Sequence, residues 1–330
     1  MLLQNLTASL SLLLLSSLPL NALADRECGT DGVWLQVLGS GGPEVLQDAR
    51  ASSSYLVWLD GKARLLVDTG GGSAFNFAKS GADFKDLDAI VFSHFHVDHS
   101  ADLPVFIKAS YFGERSRDLP LFGPTGNTLM PSMQTFVNDL FAQPKGAFHY
   151  LSDFIDPEQS SAYKLLPENI SAEGKQRWSG FHNKRLTLSA IPVHHGPIPA
   201  LALRVDIDGY SITFSGDMNG SQHTLATLAK DSDILLAHNA IPETMTGVAR
   251  QLHMTPSVIG KIAAQAKVKN LILSHRMRRT LGNEKQTRLT VQKYYHGTIT
   301  FANDLDCFDV NTSLDKDKRL KVSSPVKTQQ

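Results

Sequence analysis

His94-Phe95-His96-Val97-Asp98-His99 follows directly on the apolar run Leu87-Asp88-Ala89-Ile90-Val91-Phe92, and this junction decides the fold. Three imidazoles and a carboxylate fall within six residues. At an extended strand end, residues two apart face the same way, so His94 and His96 can grip one ion. Asp98 and His99 come a step later on a turning chain, where they can reach a second ion. Two ions a few Å apart clamp an attacking hydroxide and the oxygens of a bound ester. The chain has 12 histidines in 330 residues, and scattered surface histidines do not explain such a concentration.

The same construction, an apolar run ending in a ligand-type residue, recurs four times. It is seen in Leu65-Leu66-Val67-Asp68, Ile191-Pro192-Val193-His194-His195, Ile212-Thr213-Phe214-Ser215-Gly216-Asp217 and Asn270-Leu271-Ile272-Leu273-Ser274-His275. Each reads as a strand that presents its last residue on an exposed loop. His-x-His-x-Asp-His after a hydrophobic strand resembles the signature of the metallo-β-lactamase fold hydrolases, and the other runs match that family's remaining motifs in order. The resemblance covers residues 33–310. His195-Gly196-Pro197 followed by Pro199-Ala200, Ser215-Gly216-Asp217, His253-Met254-Thr255-Pro256 and Leu273-Ser274-His275 is similar to the ribonuclease Z and metal-dependent arylsulfatase branch, nearest its arylsulfatase-like subgroup.

The resemblance implies an α/β fold, a four-layer αβ/βα sandwich with the metals at the seam. It assigns His94, His96 and His195 to one ion, Asp98, His99 and His275 to the other, and Asp217 as the bridge. Asp98 belongs to the catalytic machinery as well, and Asp68 supports the ligands from behind. His194 competes with its neighbour as third ligand; the His-Gly-Pro spelling favours His195. Oxygen and imidazole ligands without thiolate suit two zinc ions, with manganese or iron also compatible. A closed structural zinc site would favour thiolates instead. His253 matches the branch's proton donor, which leaving oxyanions need. One departure stands out: where the ribonucleases carry His-Glu-Ala, this chain has His238-Asn239-Ala240.

The expected activity is that of an arylsulfatase, cleaving aryl sulfate esters with a metal-bound hydroxide. The alternatives are a phosphodiesterase or ribonuclease Z-like nuclease using the same site, and a metal-binding protein without turnover. Lys and Arg together number 32, as do Asp and Glu. Polyanion-binding proteins normally carry a basic excess, so a small anionic ester is expected as substrate and no nucleic acid partner. A homodimer is allowed. Arg276, Arg278 and Arg279 could hold the outer oxygens of an anionic ester, but they read better as a basic loop on a solvated face.

Leu10 to Leu20 is an apolar core of signal-peptide length, too short to span a bilayer, and Ala22-Leu23-Ala24 supplies a small-residue cleavage site. Residues 1–24 are thus expected as a signal peptide, with an uncleaved anchor or a buried first helix as the alternatives, 25–314 as the catalytic domain and 315–330 as a disordered polar tail. Export makes the protein periplasmic or secreted, with no membrane contact after cleavage. An oxidising compartment permits a Cys28–Cys307 disulfide; two free buried thiols are the other reading. Ser132–Phe141 has helical spacing, Thr255-Pro256 starts a helix to about Ala266, and Asp60-Gly61 suits a tight hairpin turn. Asp156–Gly180 reads as loop, Ser221–Lys230 as helix, and the phenylalanines of 103–185 as core beneath a long cap.

Overall fold

The computed structural model describes residue 28 and residues 30–311; the expected signal peptide and polar tail lie outside them. The first half runs β1 (Val33–Gly39), β2 (Ser54–Leu59), β3 (Lys62–Val67), α1 (Ser73–Lys79), β4 (Ala89–Val91), α2 (Val97–Ser100), α3 (Leu103–Ser110), β5 (Leu119–Pro124), α4 (Met133–Phe141) and β6 (Leu165–Ile170). The second half runs β7 (Trp178–His182), β8 (Leu186–His195), β9 (Ile198–Ile207), β10 (Tyr210–Phe214), α5 (Thr224–Leu228), β11 (Ile234–His238), α6 (Gly247–Leu252), α7 (Pro256–Ala266), β12 (Asn270–Ser274), α8 (Glu284–Val291), β13 (Thr298–Phe301) and β14 (Cys307–Asp309). Two seven-stranded sheets result, ordered β14-β1-β2-β3-β4-β5-β6 and β13-β12-β11-β10-β9-β8-β7.

Side-chain alternation explains the layering. Val33, Leu35 and Val37 of β1 join a core that also holds Leu188, Leu203, Phe214 and Ile272 of the other sheet, so this core lies between the sheets. Trp34 and Leu38 point the other way and pack with Phe77, Phe106 and Ile107 of the helices. The second sheet has its own helical cover, in which Leu235 and Leu271 meet Ile259, Ile262 and Ala263 of α7. Strands buried on both faces read as continuous apolar runs, which is why they were legible. Together these layers are the α/β sandwich the resemblance implied. Asp60 and Gly61 join β2 to β3 with φ of 49° and 73°, the left-handed pair that such a two-residue turn needs.

Three local expectations need correction. The stretch 156–180 contains the whole of β6 and the start of β7, which form one edge of each sheet. The helix expected over 221–230 shortens to α5, preceded by His223 in the left-handed region. Thr255 makes no side-chain cap on α7; the Ser257 amide donates instead to Glu243, over 2.8 Å. Of the cap phenylalanines, Phe106, Phe122, Phe141 and Phe154 are buried, whereas Phe112 is exposed. Cys28 and Cys307 are joined as a disulfide, Cα atoms 5.9 Å apart. Among the described residues, no helix is long and apolar enough to cross a membrane.

Candidate metal centre

Both halves deliver their chemistry at strand ends. His94 follows β4, His96 precedes α2, and Asp98 and His99 form that helix's first turn. His195 ends β8, Asp217 comes three residues after β10, His238 ends β11 and His275 follows β12. Among the described residues, two groups each have their ligand atoms within 4.8 Å of one another: His94, His96, His195 and Asp217, then His99, Asp217, His238 and His275. Asp217 belongs to both. Its Oδ2 is 3.9 Å from Nε2 of His94, 3.7 Å from that of His99, 3.8 Å from that of His195 and 3.4 Å from that of His275.

Hydrogen-bond partners settle which ring nitrogens carry lone pairs. Asp68 accepts from the Ser93 amide at 2.7 Å, the Ser93 hydroxyl at 2.8 Å and Nδ1 of His99 at 2.8 Å. Ser93 Oγ, its proton spent on Asp68, accepts from Nδ1 of His94 at 3.1 Å. Nδ1 of His195 donates to the Leu252 carbonyl at 2.9 Å. The inward atoms are therefore acceptors: Nε2 of His94 and of His195 lie 3.1 and 3.4 Å from Nδ1 of His96 with no proton available from the first two. Burial holds His94 well below, and His195 below, the usual imidazole range. Two lone pairs and the His96 ring nitrogen crowded beside a carboxylate fit a divalent cation.

The second group makes the same demand through charge. Burial opposes protonation of His99 and His275, yet Asp98 and Asp68 raise the first well above its ordinary value, and Asp217 and Asp98 raise the second. Asp98 Oδ2 lies 3.1 Å from Nε2 of His275 and 3.5 Å from that of His99. Nε2 of His99 and Nδ1 of His275 are buried without a hydrogen-bond partner. The facing carboxylates favour positive charge here, which a divalent cation would supply in place of the protons. The backbone is committed to this shape: Asp68 and His275 both take positive φ, 56° and 54°. Gly42 is needed as well, since a Cβ there would lie 2.7 Å from Cε1 of His275.

His195 enters the cluster and His194 does not, because adjacent strand residues face opposite ways. His253 follows α6 directly, with Nδ1 3.8 Å from Asp217 Oδ2 and buried without a hydrogen-bond partner. Burial pushes its imidazole down to about 3, despite the nearby carboxylate. The Asn239 amide turns to the Ile241 carbonyl, so no side chain at that position orients His253.

One residue carries no signal of its own in the sequence, and another is placed differently from its preferred reading. His238 stands out in the sequence only through its neighbour Asn239, yet its Nδ1 donates to Asp217 Oδ1 at 2.8 Å and its Nε2 meets the Tyr55 hydroxyl at 3.0 Å. The available signal is its place at the end of a buried strand, as for His195 and, one residue on, His275. Arg279 is not on a solvated face but lines the cavity above the metal residues, its Nε donating to the Ala240 carbonyl at 2.7 Å. Arg276 is buried and paired with Glu284, and Arg278 is exposed. The cavity, about 400 Å³, is bounded by His96, Asp98, His195, Asp217, His253 and His275.

Residues 48–252 match the family described as the Metallo-beta-lactamase superfamily. The chain is similar to Ribonuclease Z of Picrophilus torridus, 27% identical over 265 residues, covering 72% of this chain and 84% of that protein. It is also similar to Ribonuclease Z of Mycobacterium bovis, 25% identical over 291 residues, covering 84% of this chain and 98% of that protein. The crystal structure of human tRNase Z, short form, shares the fold with a TM-score of 0.66 at 18% identity, covering 84% of this chain and all (100%) of that one. These relatives overturn the expectation that no nucleic acid partner is involved. Net charge averages the whole surface and is a poor guide when the contact is confined to one cleft. They also give no support to the arylsulfatase assignment in particular.

Proposed function

The chain belongs to the metallo-β-lactamase superfamily, on the branch that holds the ribonuclease Z relatives, and from that footing we propose that it is a dinuclear zinc phosphodiester hydrolase acting on RNA. Asp217 Oδ2, set within 3.4–3.9 Å of four imidazoles from two adjacent clusters, carries the two-metal part of this reading, and the similarity to Ribonuclease Z proteins supports the RNA part. His94, His96 and His195 would hold one ion, and His99, His275 and Asp98 the other, with Asp217 shared. Bound ions would supply a nucleophile at neutral pH and offset charge on the ester oxygens.

The chain's own groups do the rest. Arg279 faces the cavity and holds an outer oxygen of the anionic ester. His253 gives a proton to the departing oxygen. Burial holds its imidazole neutral at rest, so the proton it gives must be taken up together with the anionic ester. The signal-like N-terminus and the Cys28–Cys307 bond support an exported protein, in the periplasm or secreted.

The test is a hydrolysis panel on purified, zinc-loaded protein: bis(p-nitrophenyl) phosphate, a 3′-extended RNA oligonucleotide and p-nitrophenyl sulfate, with Asp217→Ala as control. Cleavage of the two phosphodiesters above the control is expected. Turnover of the sulfate alone would return the arylsulfatase reading.

A further inference from the structure

The helix that covers the metal cavity is unlike the other helices on that sheet. None of the six residues of α6 is buried, and Val248 is 70% exposed although it lines the cavity. The helix is nonetheless fixed. Ala249 packs with Met245 on the small cluster of Ala240, Ile241 and Met277. At its C-terminal end, the Leu252 carbonyl is held by His195 and the Gln251 carbonyl accepts from Asn219 at 2.6 Å. An apolar surface held rigidly over a polar site, and left open, calls for an apolar occupant.

Pro43, Val248, Ala249, Leu252 and Met277 together make that surface, and His253 continues directly from it. The group facing His253 is the one that departs with the proton. We propose that α6 and Met277 form the subsite for a flat aromatic face carried by the leaving alcohol, with Val248 as a specificity-determining residue. This rests on the hydrolase reading above and names the chemistry its substrate must present. A nucleobase on the leaving nucleoside and the ring of a phenol ester offer the same face. The contact is with apolar side chains alone, so it selects for a ring and does not read hydrogen-bonding edges.

Binding tests the proposal without turnover. Titrating zinc-loaded protein with phenylphosphonate and methylphosphonate should show the phenyl compound bound about tenfold more tightly, as expected for burial of one ring face. Val248→Ser should erase most of that preference, Val248→Leu should keep it, and zinc content should be unchanged in both. Equal affinity for the two phosphonates in the wild type, or full preference in Val248→Ser, overturns the proposal. Two further arms refine it. Trinucleotides with and without a base at the leaving position distinguish a nucleobase from a simple aryl group. Methyl p-nitrophenyl phosphate set against the bis ester asks which side of the phosphorus is meant. A Val248→Ser defect confined to the bis ester would place the retained group on α6 and overturn the leaving-side assignment. Absence of any phosphodiester hydrolysis would remove the function proposed above while the phosphonate comparison still decides this one.

Discussion

Nδ1 of His238 donates to Oδ1 of Asp217 across 2.8 Å, leaving Oδ2 to face the clustered imidazoles. One carboxylate oxygen is thereby committed to the protein and the other to the site. Burial pushes His238 down to about 4, so the ring is neutral at physiological pH with its proton on Nδ1. Nε2 then accepts from the Tyr55 hydroxyl, which also lies 3.1 Å from Ser274 Oγ, next in sequence to His275. The chain Ser274–Tyr55–His238–Asp217 ties the first half's sheet to the second half's ligands.

His238→Ala should lower zinc affinity by about 10–100-fold, because partners behind ligands hold them at the right angle. Chelator competition measures it. Unchanged affinity would mean that Asp217 needs no support.

Asp217→Ala should remove both ions together, since the residue belongs to both clusters. Metal analysis of wild-type protein should approach two ions per chain, and the variant should hold far less. A variant that keeps one full equivalent and its activity would show that the clusters are independent.

His253→Ala should leave the metals in place while turnover falls by about two to four orders of magnitude. The loss should shrink for acidic phenols, which leave without a proton. An equal loss across good and poor leaving groups would make the residue a substrate positioner.

Arg279→Ala should raise KM for anionic diesters by about tenfold with a smaller change in kcat, reflecting binding shared by ground and transition states. Steady-state kinetics on bis(p-nitrophenyl) phosphate decides it, and an unchanged KM would remove Arg279 from substrate contact.

Reducing the Cys28–Cys307 bond, or replacing both residues by serine, should cost about 2–5 kcal/mol of stability. The bond closes 279 residues of chain, and its loss should appear as a lower Tm. Identical melting with and without reductant would mean that the purified protein lacks the bond.

The inner strands and the histidine motif were readable because a strand buried on both faces leaves an uninterrupted apolar run, and a ligand cluster at its end has no bland equivalent. β6 and β7 escaped for the opposite reason. They are edge strands with exposed positions, and Pro167 within β6 argues against a strand anywhere but at an edge. His238 escaped because a motif match directs attention to the residue that differs, Asn239, and away from the one that stays. Only the parallel register, with His238 opposite Ser274, shows that it arrives beside His275. Arg279 required the tertiary fold, since three arginines in four residues look alike until the chain turns one toward the cavity.

β1 takes β14 as its outer neighbour, with Trp34 opposite Asp309. Its edge therefore stays unpaired until nearly the whole domain has been synthesised, and the first sheet cannot close from the N-terminus forward. Contacts so distant in sequence make for high contact order and slow folding. A ribosome-stalled chain ending before residue 307 should expose β1 to protease and to unwanted strand pairing, even with the metal ligands already in hand.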